Sequence, residues 1–395
     1  MQRLVDIQRA KGRGQRTESV GSYNRKLIME EIRRYGPLTR PDLAKRTGLT
    51  RAAVGKIVND LYELGLVTEE GFEVSSGGRR PVLLQVRKDR YVVGAHLDGQ
   101  GIQVAVVGLD AAVRSYRVIP WQRNGGSVLL QDVIDALRGV IAQDGLTEEE
   151  LLGIGLSIPG LFDYTNQEII VSFALGWERV PLAKFLQQEL NVPVVAERDC
   201  LAGLFGELWF GDWHSVDDAM YVVVGEGIGA GLWLSGQPFR GSGWMAGELG
   251  HVSVDDDGVP CQCGQRGCLE VMASLGVMAR QWWSAGALSE DFIERYVKAL
   301  KDRDERAWQV LREGTRHIGK ALGQAINLLD PEMIFVAGRL DPVSEEFIDV
   351  LGAATLPHVM KHNVREVRIV PASFGPYHSV MGAAAAFLWE SFNHL

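Results

Sequence analysis

Apolar and polar positions follow two different rhythms along the chain, and the change falls near residue 90. Between Asn24 and Glu70 the apolar residues recur at helical spacing in three runs. Leu27, Ile28, Ile32 and Tyr35 mark the first run, which Gly36-Pro37 stops. The second opens at Thr39, a residue type that caps helix N-termini, and closes near Thr47-Gly48. The third opens at Thr50 and aligns Val54, Ile57, Val58, Leu61 and Leu64 on one stripe. A short helix, a tight turn, then a helix with small and basic residues at its exposed start predicts a helix-turn-helix. Small side chains let the third helix sit deep in a major groove. Thr50, Arg51, Ala52, Gly55 and Lys56 are therefore the expected DNA-facing set, Arg51 and Lys56 reaching base edges or phosphates.

Two short strand-like runs in "LVTEEGFEVSSGGRRPVLLQV" flank a glycine-rich basic tip, the pattern of a winged helix. Arg79 and Arg80 at that tip can enter a minor groove, grip phosphate, or simply be solvated. Residues 1–20 are polar and basic without periodicity and are expected to form a mobile arm ahead of a head spanning 21–88.

From Tyr91 the rhythm is that of strands. "YVVGAHLDG", "GIQVAVVGLD" and "SYRVIPWQR" read as successive strands, followed by a helix near 128–142 and the strand "LLGIGLSIPG". Further on, "AMYVVVGEGIGAGLWLSG" again reads as strand, glycine-rich turn, strand. A helix and a buried strand follow in "HIGKALGQAINLLDPEMIFVAG", and "SVMGAAAAFLWESF" closes the chain as a helix. A strand-turn-strand opening in each half predicts an α/β body of two lobes over 89–395.

Charge sharpens this division. Residues 1–90 hold 19 Lys and Arg against 11 Asp and Glu, whereas the remainder holds 22 against 39. A basic front on an acidic body suits a polyanion met by the front alone, although a basic tail without a partner has the same balance. No apolar run approaches membrane length, and "MQRLVDIQRAKGRGQR" lacks a secretory core, so a cytoplasmic location is expected and disulfides are not. That leaves a puzzle, because three of the four cysteines fall between Cys261 and Cys268, with His251 ten residues before the first. Cys261, Cys263, Cys268 and His251 form a Cys3His set suited to tetrahedral Zn²⁺ with no position left for water, which predicts a structural zinc loop over 251–268. A set of free buried thiols is the alternative. The fourth thiol, Cys200, reads as a small core residue.

"GIGLSIPGLFD", "LGW", "GEGIGAG", "GELGHVSV", "CQCGQRGCLE" and "NLLDPEMIFVAG" occur in the order found in the ROK family of repressors, open reading frames and sugar kinases, which the chain resembles from Tyr91 to its end. The resemblance implies an actin-like (ribonuclease-H-like) two-lobed α/β body with a sugar site. Members with a winged helix in front are typically sugar-responsive repressors. It further implies that Glu248, His251 and Glu270 contact sugar hydroxyls, and that Asp199 stands where the kinases keep their catalytic base. In a regulator Asp199 would be a vestigial base that only accepts a hydrogen bond from the sugar.

Departures from the kinase pattern favour the regulator. The family's kinases have Asp-x-Gly-Gly-Thr in the first lobe, where this chain has Asp98-Gly99-Gln100-Gly101-Ile102. Their second Gly-Thr-Gly turn is Gly225-Glu226-Gly227 here. A carboxylate facing a phosphate repels it. Arg198 and Ala174 replace two asparagines of the usual sugar site. Arg198 either selects an acidic or phosphorylated sugar or pairs with Glu197 or Asp199. The expectation is a non-enzymatic, sugar-responsive DNA-binding regulator acting as a homodimer or homotetramer on a double-stranded operator. A sugar kinase with an appended head, or a sensor whose head meets a protein partner, are the alternatives.

Overall fold

The computed structural model describes residues 15–72, 82–121, 128–213, 216–283, 291–361 and 367–393. They fall into two compact units, one formed by residues 1–198 and 380–395 and the other by 199–379.

The first unit opens with the head. Helix α1 (Gln15–Tyr35) is followed by α2 (Arg40–Thr47), α3 (Arg51–Glu63) and the antiparallel pair β1 (Val67–Phe72) and β2 (Val82–Val86). The expected stripe is buried at Val54, Ile57, Val58 and Leu61, and Ile28, Met29 and Ile32 of α1 close the same small core. Three details differ from expectation. Residues 15–20, placed in the arm, belong to α1, because the long helix propagates about two further turns before Tyr23. Tyr35 is 47% exposed and carries the Arg46 guanidinium 3.8 Å above its ring, instead of entering the core. Leu64 is the C-cap of α3 and is only half-buried, since the stripe ends with the helix.

The first lobe follows with β3 (Tyr91–Leu97), β4 (Gly101–Gly108), β5 (Val113–Pro120), α4 (Leu130–Gln143), β6 (Leu151–Ile158), β7 (Leu161–Asp163), β8 (Glu168–Ser172), β9 (Trp177–Val180), α5 (Leu182–Leu190) and β10 (Val194–Arg198). Its main sheet runs β10-β6-β3-β4-β5, with β3, β4 and β5 antiparallel and β6 and β10 parallel to β3. Strands β7, β8 and β9 form a small antiparallel sheet.

The second unit comprises α6 (Asp199–Trp209), β11 (Ala219–Val224), β12 (Ile228–Leu234), β13 (Gln237–Pro238), α7 (Leu269–Ala273), α8 (Leu275–Trp282), α9 (Phe292–Lys301), α10 (Glu305–Leu329), β14 (Met333–Gly338), α11 (Ser344–Thr355) and β15 (Arg368–Pro371). Helix α12 (His378–Asn393) then returns the chain to the first unit. The second sheet runs β13-β12-β11-β14-β15. Read from its first strand, each sheet has an antiparallel hairpin extension on one side and two parallel strands on the other. The two halves thus share one topology, as the repeated strand-turn-strand openings predict. Strands β3, β6, β11 and β14 are almost wholly buried, which explains their near-continuous apolar runs. Among the described residues no helix is long and apolar enough to cross a membrane.

One buried acid makes stability depend on pH. Glu207 of α6 accepts the backbone N–H of Ser373 at 2.7 Å and lies 2.5 Å from its hydroxyl, fully enclosed. Burial raises its pKa from 4.5 to about 7. Its folded-state pKa is raised, so the stability it contributes is complete below pH 4.5 and is lost as pH rises to about 7. Glu207→Gln should therefore gain in Tm relative to wild type across that window and show a constant difference above it. Parallel thermal melts of both proteins across pH check this.

Candidate functional site

The reading surface of the head is built by its caps. Thr39 starts α2 through a capping box: its hydroxyl accepts the Asp42 N–H at 3.3 Å, and the Asp42 carboxylate accepts the Thr39 N–H at 3.0 Å. Gly48 ends α2 at φ 71°, a conformation glycine adopts without strain, so the chain can turn into α3 within three residues. The Thr50 hydroxyl accepts the Ala53 N–H at 3.2 Å and begins α3. Of the residues expected to face DNA, Thr50, Arg51, Ala52 and Lys56 are exposed and Gly55 is half-buried. A methyl group added at Gly55 would meet nothing within 4 Å, so that face of α3 is open. Arg79 and Arg80 lie outside the described residues, between the strands of the wing.

The metal candidates converge. The ligand atoms of His251, Cys261, Cys263 and Cys268 all lie within 4.8 Å of one another. Cys263 Sγ is 3.5 Å from Cys268 Sγ, and Cys261 Sγ is 3.7 Å from His251 Nδ1. Sulfurs bonded to each other would stand about 2.05 Å apart. Ligands around a tetrahedral ion at about 2.3 Å stand roughly 3.8 Å apart. Geometry and donor set both fit one ion and not a disulfide. The loop closes through the Cys261 N–H on the Gln265 carbonyl and the Gly264 N–H on the Cys261 carbonyl. Gly267, at φ 61°, is indispensable there: a methyl group on it would fall 1.6 Å from the Asp255 carbonyl oxygen. Lys320 of α10 donates to the Val254 carbonyl at 2.7 Å and ties the loop to the core.

The same loop carries the carboxylates. With His251 Nδ1 turned to the thiols, Nε2 faces Glu248 Oε2 at 4.0 Å. Glu270 follows the last thiol by two residues, and its Oε2 accepts the Ile228 N–H at 3.1 Å. Sequence reasoning missed that bond, because nothing in local spacing links residues 42 apart. Asp199 opens α6, whose Cys200 packs on Gly229 and Gly231 of β12. The second unit thus brings Glu248, His251 and Glu270 to one place, with Asp199 on the helix packed against the same strand. Arg198 closes β10 in the first unit. The neighbouring Glu197 is buried and accepts both the Arg198 backbone N–H, at 2.8 Å, and the Tyr164 hydroxyl.

Both glycine-rich turns are closed from within. In the first, Asp98 Oδ1 accepts the N–H groups of Gln100 at 2.7 Å and Gly101 at 2.9 Å. Ile102 is fully buried in the core of the first lobe. In the second turn Gly225 N–H bonds the Gly227 carbonyl and Ile228 N–H is taken by Glu270. Phosphate binding requires such N–H groups to be free and convergent. Here Asp98 holds two of them, Glu270 holds one, and the Gly227 carbonyl holds the Gly225 N–H. The Asp98 closure had a sequence signal, since aspartate followed by glycine and two further turn residues favours an Asx-turn.

With this geometry in place, comparison with known proteins decides the family. The model of the ROK family matches residues 92–390. The chain belongs to the ROK family. The MarR family model matches residues 22–80, so the head is a winged helix of MarR type on a ROK body. The xylose repressor of Bacillus subtilis is 34% identical over 368 residues, covering 93% of this chain and 95% of that protein. A solved ROK family transcriptional regulator, a homologue of the E. coli MLC protein, superposes with a TM-score of 0.79 at 24% identity. It covers 95% of this chain and 98% of its own, a likeness of fold. A ROK family glucokinase from Streptomyces griseus, solved with glucose and AMPPNP, matches with a TM-score of 0.65 at 25% identity, covering 74% of this chain and 98% of its own.

The closed turns predict that calorimetry with ATP and Mg²⁺, with or without sugar, gives no binding heat at millimolar nucleotide. Micromolar affinity would mean that the carboxylates swing aside.

Proposed function

We propose that this ROK protein is a sugar-responsive, DNA-binding transcriptional repressor without kinase activity. The observation that carries the reading is the pairing of a correctly capped, open-faced recognition helix with nucleotide turns whose N–H groups are occupied by Asp98 and Glu270. In this reading the head runs from the start of α1 at Gln15 to residue 88, the basic residues before it add phosphate contacts, and 89–395 sense the effector. Arg51 and Lys56 contact duplex DNA, with Thr50, Ala52 and Gly55 against the groove and Arg79 and Arg80 at the wing. A homodimer or homotetramer supplies two heads to two half-sites of a double-stranded operator. A cytoplasmic location suits both the target and reduced thiols.

The effector is a sugar or sugar derivative. Glu248, His251 and Glu270 accept or share hydrogen bonds with its hydroxyls, Asp199 accepts one more, and Arg198 supplies a planar donor for an acidic group. Glu270 keeps its second oxygen for this task while Oε2 holds the Ile228 N–H. Zn²⁺ held by His251, Cys261, Cys263 and Cys268 is structural: it fills all four positions and fixes the loop that carries the acceptors. Its chemistry is limited to holding thiolates and imidazole in place.

Fluorescence anisotropy on a duplex from the region upstream of its own gene, at several salt concentrations, tests the repressor reading. Release by xylose, other neutral sugars, sugar acids or sugar phosphates then defines the effector class. Indifference to the upstream duplex relative to a scrambled one would remove the reading. Lys56→Ala should lower affinity for any duplex and reduce the salt slope by about 1. Gly55→Ala should stabilise α3 by about 1 kcal/mol while weakening upstream-duplex binding, because only DNA occupies the space beside it.

Metal analysis should return about one zinc per chain. Burial pushes the Cys268 thiol up to about 12, so metal capture must displace its proton and affinity must rise with pH. Zinc release to a colorimetric chelator should accelerate as pH falls, and Cys268→Ala should abolish retention.

A further inference from the structure

The head touches the far end of the chain. Lys26 of α1 is only 8% exposed, and its amine sits 2.8 Å from the centroid of the Trp389 ring, in the last turns of α12. Burial drives the Lys26 pKa down to about 6, and the charge of Glu390 pulls the other way. Lysine is seldom enclosed in a protein interior, because removing its charge from water costs more than burying an apolar chain of equal length. Nothing in the helix-turn-helix itself requires a lysine there. Ile28, Met29 and Ile32 already supply the apolar face of α1.

The helix that receives Lys26 is deeply seated in the first unit. Ala383 to Ala386 are fully buried. Its backbone rests directly on the first-lobe sheet: a methyl group on Gly94 of β3 would lie 2.1 Å from the Val380 carbonyl, and one on Gly155 of β6 would lie 1.8 Å from that of Ala383. The other end of α12 starts at His378, whose Nδ1 is 3.2 Å from the Tyr221 hydroxyl of β11. Gly203 of α6, the helix that opens with Asp199, packs against that tyrosine ring. A second anchor meets the head at its linker. Arg90, 12% exposed, lies against Gly65 after α3, with its guanidinium 3.4 Å from Glu149 of the first lobe.

We propose that Lys26, clasped on Trp389, is a positioning residue for operator recognition: it fixes the DNA-reading head on α12, the helix by which the chain returns from the effector-binding unit. The proposal rests on the repressor reading for its function and on the clasp alone for its structure. The head retains its own core and caps without the clasp, so loss of the clasp leaves a folded head held at its linker anchor alone, with its orientation loosened. A dimer of such heads binds any duplex through phosphates as before but no longer matches two half-sites.

The test uses the full chain as wild type, Lys26→Met, Lys26→Arg and Trp389→Leu. Hydrogen exchange should quicken in α1 and the last turns of α12 for Lys26→Met and Trp389→Leu while α3 stays protected, and Lys26→Arg should restore protection. Unchanged exchange in α1 would overturn the clasp whatever the DNA results. On DNA, the ratio of affinity for the upstream duplex to that for a scrambled duplex of equal length should fall about tenfold in Lys26→Met and Trp389→Leu, with scrambled-duplex affinity unchanged. A purely structural lysine predicts the opposite pattern, since replacing it with methionine removes a buried amine and raises Tm without moving that ratio. An unchanged ratio, or equal loss on both duplexes, overturns the positioning role. If wild type itself shows no preference for the upstream duplex, the repressor reading fails and the exchange result still decides the clasp.

Discussion

Four donor atoms gathered within 4.8 Å of one another set the geometry of the second unit's candidate site. Three sulfurs and an imidazole nitrogen that close repel or waste each other's hydrogen bonds unless a cation sits among them. Metal capture, as proposed above, would convert a glycine-rich loop, which has little apolar surface of its own, into a fixed platform. Two of the residues proposed for effector contact are tethered to this loop: Glu248 precedes the histidine by three residues, and Glu270 follows the last thiol by two. The imidazole ring faces the Cys261 thiol through Nδ1 and Glu248 through Nε2, so one side chain links the donor cluster to the carboxylate.

From Glu270 the constraint passes to the neighbouring turn. Its carboxylate holds the Ile228 N–H, a backbone donor of the second glycine-rich turn. Asp98 does the equivalent in the first lobe, closing on two successive N–H groups. In this ROK body a carboxylate partners backbone donors in each turn, Asp98 in the first and Glu270 in the second, and those donors stay satisfied. The glucokinase and this chain share an architecture.

How much of this could be read from the sequence follows the range of the interactions involved. The caps Thr39, Gly48 and Thr50, the buried stripe of α3, the paired openings of the two sheets and the Cys3His set depend on neighbours a few residues away, and all are visible as spacing. The exposure of Tyr35 was not legible, because stacking by Arg46 competes with burial and periodicity cannot rank the two. Neither was the end of the stripe before Leu64, nor the start of α1 as early as Gln15. Glu270 on Ile228 and Lys26 on Trp389 depend on tertiary approach alone and leave no local mark.

Those long-range contacts also separate stability from specificity in the first unit. Alanines 383 to 386 and the glycines beneath them seat α12 by close backbone approach, which no polar group is needed to achieve. A buried amine at the helix end adds little to that seating and costs desolvation. Its value lies in direction: an amine over one ring face, beside one carboxylate, admits a single orientation of α1, where an apolar contact of the same area would tolerate several. Operator recognition by paired heads is a demand on orientation before it is a demand on affinity, and a costly but directional contact at the root of the head meets that demand.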